Sequence, residues 1–183
     1  MSASTSRMDN PDGGTPDSTG DRVVRLLPRL ANPNGLARQR ARESLVALGT
    51  SAVPALTTAL SNPNWRVRWE AAKALTEIAD PTAADALVAT MEDERPGVRW
   101  IASEGVIALG YRGLVPLLQA LIRKADSAWF RVGAHHVLRA LEGCGMDRYV
   151  QPVLKALSAP EPSMEVPLVA EEALDLIMED RSR

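Results

Sequence analysis

The chain has 183 residues, 45 % apolar, 24 % charged and 4 % aromatic, with a formal net charge of −2 and a single cysteine, Cys144. That length supports one ordinary domain with a real core, and the charge balance supplies no global positive field for nucleic acid. One cysteine excludes an intramolecular disulfide and fits a reducing compartment.

Residues 1–20, MSASTSRMDNPDGGTPDSTG, are rich in Ser, Thr, Gly, Asp and Pro. They predict a disordered tail, and they lack the apolar segment that a secretory leader needs. No later run approaches about eighteen apolar residues, the length of a membrane helix. A cytoplasmic chain is therefore expected.

From residue 21 the pattern is helical, with no strand-like alternation. Ten helices are predicted, in chain order over 21–31, 35–48, 51–61, 64–79, 82–92, 97–109, 112–125, 128–142, 147–158 and 164–180. Asn34, Asn64, Asp126 and Ser163 stand where a side chain can satisfy the free amides of a helix start. Pro81 after Asp80 suits a first turn. Gly49 and Gly110 can end helices with positive φ.

The breaks recur. NPN stands at 32–34 and at 62–64, and Val67-Arg68-Trp69 returns as Val98-Arg99-Trp100. Ala37-Arg38-Gln39 and Phe130-Arg131-Val132 hold the same place one unit before and one unit after. A second series follows each of these: Val53-Pro-Ala-Leu56, Ala84-Asp-Ala-Leu87, Val115-Pro-Leu-Leu118 and Gln151-Pro-Val-Leu154. Helix pairs at a period of about 31 residues predict an all-α fold, a stacked α-solenoid of about five units over residues 21–183.

Units such as NPNWRVRWEAAKALTEIADPTAADALVATM resemble HEAT repeats of the subtype found in phycobilisome-lyase HEAT-like proteins. That pattern runs D-P-x-V-R-x-x-A-A-x-A-L-G-x-I, then a turn, then A-V-P-x-L-x-x-A-L. The resemblance implies that Arg38, Arg68, Arg99 and Arg131 form a ladder with acids in the turns. Asp93 and Asp126 could serve, while asparagines replace the acid in the first two units, where the ladder should be weaker. It also implies that the second helix of each pair lines a concave surface.

In segment 64–79, Val67, Ala71, Ala74, Leu75 and Ile78 form one stripe and should be buried. Trp65, Trp69, Ala72, Lys73 and Thr76 lie about 200° away. Equivalent positions elsewhere are Gln39, Arg42 and Glu43; Trp100, Ser103 and Glu104; His135, His136 and Arg139; then Glu171, Glu172 and Asp175. Stacked units lie about 10 Å apart, so Trp69 and Trp100 should be neighbours. Trp65 and Trp129 read as packing residues. Gly105 and Gly133, inside helices, suggest close helix contacts.

The expected function is a protein-binding scaffold, with Arg42, Trp69, Lys73, Trp100, Glu104, His135, His136 and Arg139 as the partner-binding set on the concave face. Exposed Trp with Arg is a usual protein-binding anchor. The partner is another protein, with no nucleic acid or membrane, and the chain itself is expected as a monomer. Charge is uneven. Residues 21–60 hold six arginines against Asp21 and Glu43, and residues 156–183 hold seven acids against Arg181 and Arg183.

No cofactor, metal or catalytic residue is expected. HEAT-like deoxyhypusine hydroxylase holds two irons through motifs like R-H-E-A-A, but the matching residues here are Arg68-Trp69-Glu70-Ala71-Ala72 and Arg99-Trp100-Ile101-Ala102-Ser103. His135 and His136 are adjacent and diverge by about 100° on a helix. Cys144 has no activating partner in sequence. Two other HEAT-like roles remain as alternatives: DNA binding of the alkylation-repair type, which needs local positive excess, and bilin handling as in the lyases.

Overall fold

The computed structural model describes residues 18–182; the tail expected over residues 1–20 lies almost wholly outside them. The described residues form ten α-helices and three short 3-10 segments, with no strand. Four consecutive pairs follow the predicted period. These are α1 (Thr19–Leu26) with α2 (Gly35–Val46), α3 (Val53–Ala59) with α4 (Trp65–Ile78), α5 (Ala84–Thr90) with α6 (Pro96–Leu109), and α7 (Tyr111–Lys124) with α8 (Ala128–Leu141). The last two helices are α9 (Asp147–Leu157) and α10 (Pro162–Arg181).

Local chemistry accounts for most boundaries. The Ser18 and Asp21 side chains make a capping box at α1. Asn34 accepts hydrogen bonds from the Leu36 and Ala37 amides at α2, and Asn64 accepts from Arg66 at α4. At α8 the cap is Ser127, which accepts from the Phe130 amide, so Asp126 is not the cap. The last helix begins on Pro162 without a side-chain cap, one residue before the expected Ser163. Gly49 and Gly110 take φ of 59° and 57°, which L side chains adopt only with strain.

The second helices α2, α4, α6 and α8 pack in succession, with the first helices laid against them. Val67, Ala71, Ala74 and Leu75 are buried, as the apolar stripe predicts. Ala72 is buried too, contrary to expectation. It lies where α4 meets α6, and the Thr76 hydroxyl beside it donates to the Ala72 and Ile101 carbonyls. A Cβ on Gly105 would sit 2.9 Å from Thr76 Oγ1 and 3.0 Å from Leu87 methyls. A Cβ on Gly133 would sit 3.0 Å from Met91 Cε. Both glycines serve the close approach read from the sequence.

The repeated arginine ties these units. Its Nη1 donates to the carbonyl six residues earlier in the turn: Arg38 to Asn32, Arg68 to Asn62, Arg99 to Asp93 and Arg131 to Ala125. The rest of the guanidinium faces the next unit. Arg68 bonds Asp93 through Nε at 2.5 Å and Nη2 at 2.9 Å, which pushes its pKa further above an already high value. Arg38 meets Glu70 at 3.1 Å. An acid on a helix thus replaces the missing turn acid, and the ladder is not broken there. Arg99 instead lies over the Trp129 ring, 4.4 Å from its centroid.

The final pair departs from the stacking. α9 packs on α8, whereas α10 packs on α7 and α9. The pair is turned round, so its first helix continues the row of second helices. The turn between α8 and α9 contains Gly143 and Gly145 at φ 75° and 78°. Arg148 and Tyr149 of α9 both bond the Asp180 carboxylate of α10 at 2.8 Å, which raises the Tyr149 pKa.

Glu70 is buried between Arg38 and Arg42, with Arg42 also bonding Glu77 at 3.1 Å. Glu70→Ala leaves two arginines without their shared counter-charge and is expected to cost about 3–5 kcal/mol. Glu77→Ala, at the outer edge of the same network, should cost under about 1 kcal/mol; urea unfolding followed by helical circular dichroism separates the two. Hydrogen bonds from Lys124 and Ser127 lower the Glu92 pKa below its ordinary 4.5. The stability this carboxylate adds is present above that value and fades as pH falls through the lower folded value. Glu92→Gln should therefore be less stable than the wild type near neutrality, and the difference should vanish in acid.

Candidate protein-binding face

The exposed side of α4, α6 and α8 carries most of the chain's unusual chemistry. Trp69 sits in the second turn of α4 and is half-buried. A Cβ added at Gly97 would lie 3.9 Å from its ring, so it leans on the start of α6. The Lys73 ammonium stands 5.0 Å from the Trp69 ring centroid. Trp100, the equivalent position on α6, is 57 % exposed. Its ring partner is His136 of α8, with centroids 4.3 Å apart. His136 Nε2 also lies 2.7 Å from a Glu104 carboxylate oxygen. Trp100, Glu104 and His136 thus form one cluster across α6 and α8.

Two tryptophans read as packing are exposed. Trp129 is 65 % exposed and Trp65 is 37 % exposed. Trp129 opens α8 and lies beneath Arg99, while Trp65 opens α4 between Arg66 at 4.9 Å and Arg95 at 5.8 Å. Guanidinium stacking holds these rings at the surface without burying them. Beside Trp129, Val132 is 69 % exposed. Trp100, Trp129, Val132, Pro96 and Gly133 line a groove of about 180 Å³ between α6 and α8, with Arg99 and His136 at its sides.

Arg42 does not belong to this face. Its guanidinium is buried against Glu70 and Glu77, because α4 supplies two acids opposite α2. Glu171, Glu172 and Asp175 do not continue the stripe either, since α10 lies on α7. Their place beside α8 is taken by α9. A wide cleft of about 830 Å³ runs between these helices, lined by His135, Arg139, Glu142, Gln151 and Lys155 among others. His135 and Arg139 are exposed, and Arg139 bonds Glu142 at 2.6 Å.

Residues 23–106 match the family model described as HEAT repeats. This segment is built of HEAT repeats. The helix pair α7–α8 extends the same stacking beyond the match, and the turned pair α9–α10 closes it. No curated protein was found to match the chain. Among the described residues no helix is long and apolar enough to cross a membrane, and no group of three or more His, Cys, Asp or Glu is placed to hold a metal ion.

The differing exposures separate the tryptophans by experiment. Trp100→Ala and Trp129→Ala should each change stability by under about 1 kcal/mol, as exposed substitutions do. Trp69→Ala should cost more, because its ring packs on the next helix. In single-tryptophan variants, acrylamide should quench Trp100 and Trp129 more strongly than Trp69.

Proposed function

We propose that this chain binds another protein, and that the groove between α6 and α8 is the anchor point. The carrying observation is that Trp100, Trp129 and Val132 are each more than half exposed and share one apolar groove. Large apolar side chains in such a cluster mark interaction surfaces, and Trp and Arg dominate binding hot spots. The rigid helix pairs present the groove ready-formed, which lowers the ordering cost of association.

The groove takes one or two apolar side chains of a partner segment. Arg99 on one side, and the His136–Glu104 pair on the other, set the register by charge and hydrogen bonding. Lys73 and Trp69 one unit before, and His135 and Arg139 after, extend the contact. Arg42 acts behind this surface as a buried support. The role is that of a scaffold without catalysis, in a chain that works in the cytoplasm.

Two other ligands are open to direct test. The DNA reading gains Arg66, Arg95 and Arg99 near exposed tryptophans, but the same side carries Glu94 and Glu104, and phosphate binding needs positive excess. The likeness of the repeat to phycobilisome-lyase units makes a bilin the first small molecule to try. An absorbance shift with bilin, or retarded migration of a short duplex at low salt, would support those readings.

Cross-linking in native cells followed by mass spectrometry should recover a partner whose cross-links lie near α6 and α8. A Trp100→Ala plus Trp129→Ala variant should retain its helical circular dichroism and lose about tenfold or more in affinity for that partner. Unchanged affinity in the folded double variant would overturn the groove as the anchor.

A further inference from the structure

Two faces far apart in sequence match each other in shape of pattern and in charge. The first belongs to α10. Its buried stripe is Val166, Ala170, Ala173 and Ile177, turned toward α7 and α9. At about 100° per residue, the opposite side is a ridge of Met164, Leu168 and Met178, all exposed. Glu171, Glu172 and Asp175 stand on this ridge and are exposed as well. Glu165 and Glu179 edge it.

The second face belongs to the first unit. A cleft of about 310 Å³ lies between the 3-10 turn at 27–31 and α2, and a smaller one of about 210 Å³ joins it along α1. The half-buried Leu26 and Ala37 supply apolar surface there, with the buried Ala41 beneath them, and Arg22, Arg29 and Arg40 supply charge. The direction of this cleft follows from the helix. Arg38 and Arg42 point to α4 through Glu70, and Ala37, Arg40 and Ser44 lie roughly 200–260° around α2 from Arg38. The cleft is therefore on the side of α2 turned away from the rest of the stack.

We infer that a second copy of this chain is the occupant: the α10 ridge of one copy seats in the α1–α2 cleft of the next. The methionines and leucine meet the apolar surface while three carboxylates meet three guanidiniums, so both charge sets are matched at once. A ridge with only apolar residues would fit many grooves; acids along it and arginines along the cleft select this pairing. The contact joins two different surfaces, so it is heterologous and each added copy presents a fresh ridge or cleft. This departs from the monomer expected above. The groove at Trp100 and Trp129 plays no part, so either surface can fail without the other.

Sedimentation equilibrium of the full chain over a concentration series tests it, at roughly 0.02 M and roughly 0.5 M salt. The weight-average mass should climb past two chains at low salt and fall back in high salt. Arg22→Glu/Arg29→Glu/Arg40→Glu has two acidic faces, and Glu171→Lys/Glu172→Lys/Asp175→Lys has two basic ones. Each alone should stay monomeric with helical circular dichroism intact, and mixing them should restore association. A wild type that is monomeric at every concentration in low salt would overturn the inference; the faces would then serve another partner or residues 1–17. Association that neither charge reversal weakens would overturn it equally, by placing the contact elsewhere.

Discussion

The bond from each ladder arginine to the carbonyl six residues behind it is the constraint on which the solenoid depends. A turn that enters a helix leaves carbonyls with no helical partner, and buried unpaired carbonyls are costly. Arg38, Arg68, Arg99 and Arg131 solve this within their own unit with one nitrogen. The other nitrogens are then held in a fixed direction, toward the following unit. The same side chain therefore closes a turn and sets the spacing of the stack. Its forward partner varies from Glu70 to Asp93 to the Trp129 ring without altering that geometry.

This division explains how the binding face arises. The ladder arginine takes the inner side of each helix start, and the residue beside it is turned away: Gln39, Trp100 and Val132 are exposed, and Trp69 is half-buried against the start of α6. Trp100 is adjacent to Arg99 in sequence for this reason, and Trp129 is held at the surface by the same Arg99 from across the unit boundary. Structural and surface chemistry share a guanidinium. Arg66 and Arg95 around Trp65 repeat the motif with looser contacts.

The helix pairs were legible in the sequence because their signals are local and repeated: Asn34 and Asn64 cap, Val67 and Val98 pack, Gly105 and Gly133 mark close crossings. What could not be read depends on which distant residue lies opposite. Arg42 looks exposed by periodicity, but Glu70 and Glu77, 28 and 35 residues away, draw it inward. Trp129 looks like a packing residue until the position of Arg99 is known. The reversed order of α9 and α10 goes with the positive φ of Gly143 and Gly145 in the preceding turn and with α10 packing on α7 and not on α8. Neither leaves a trace in the repeat spacing.

That reversed pair changes how the array can come apart. In a regular stack, the terminal unit touches only its neighbour through like-to-like rows and can fray alone. Here α9 grips one helix of the fourth unit and α10 grips the other, with Asp180 joining the two jaws through Arg148 and Tyr149. Release of the last pair uncovers both helices of the fourth unit together. Local opening is therefore unequal along the molecule. The first unit, held by one neighbour through a single row of second helices, should exchange its amides more readily than α9 and α10, which each hold a different helix of the fourth unit.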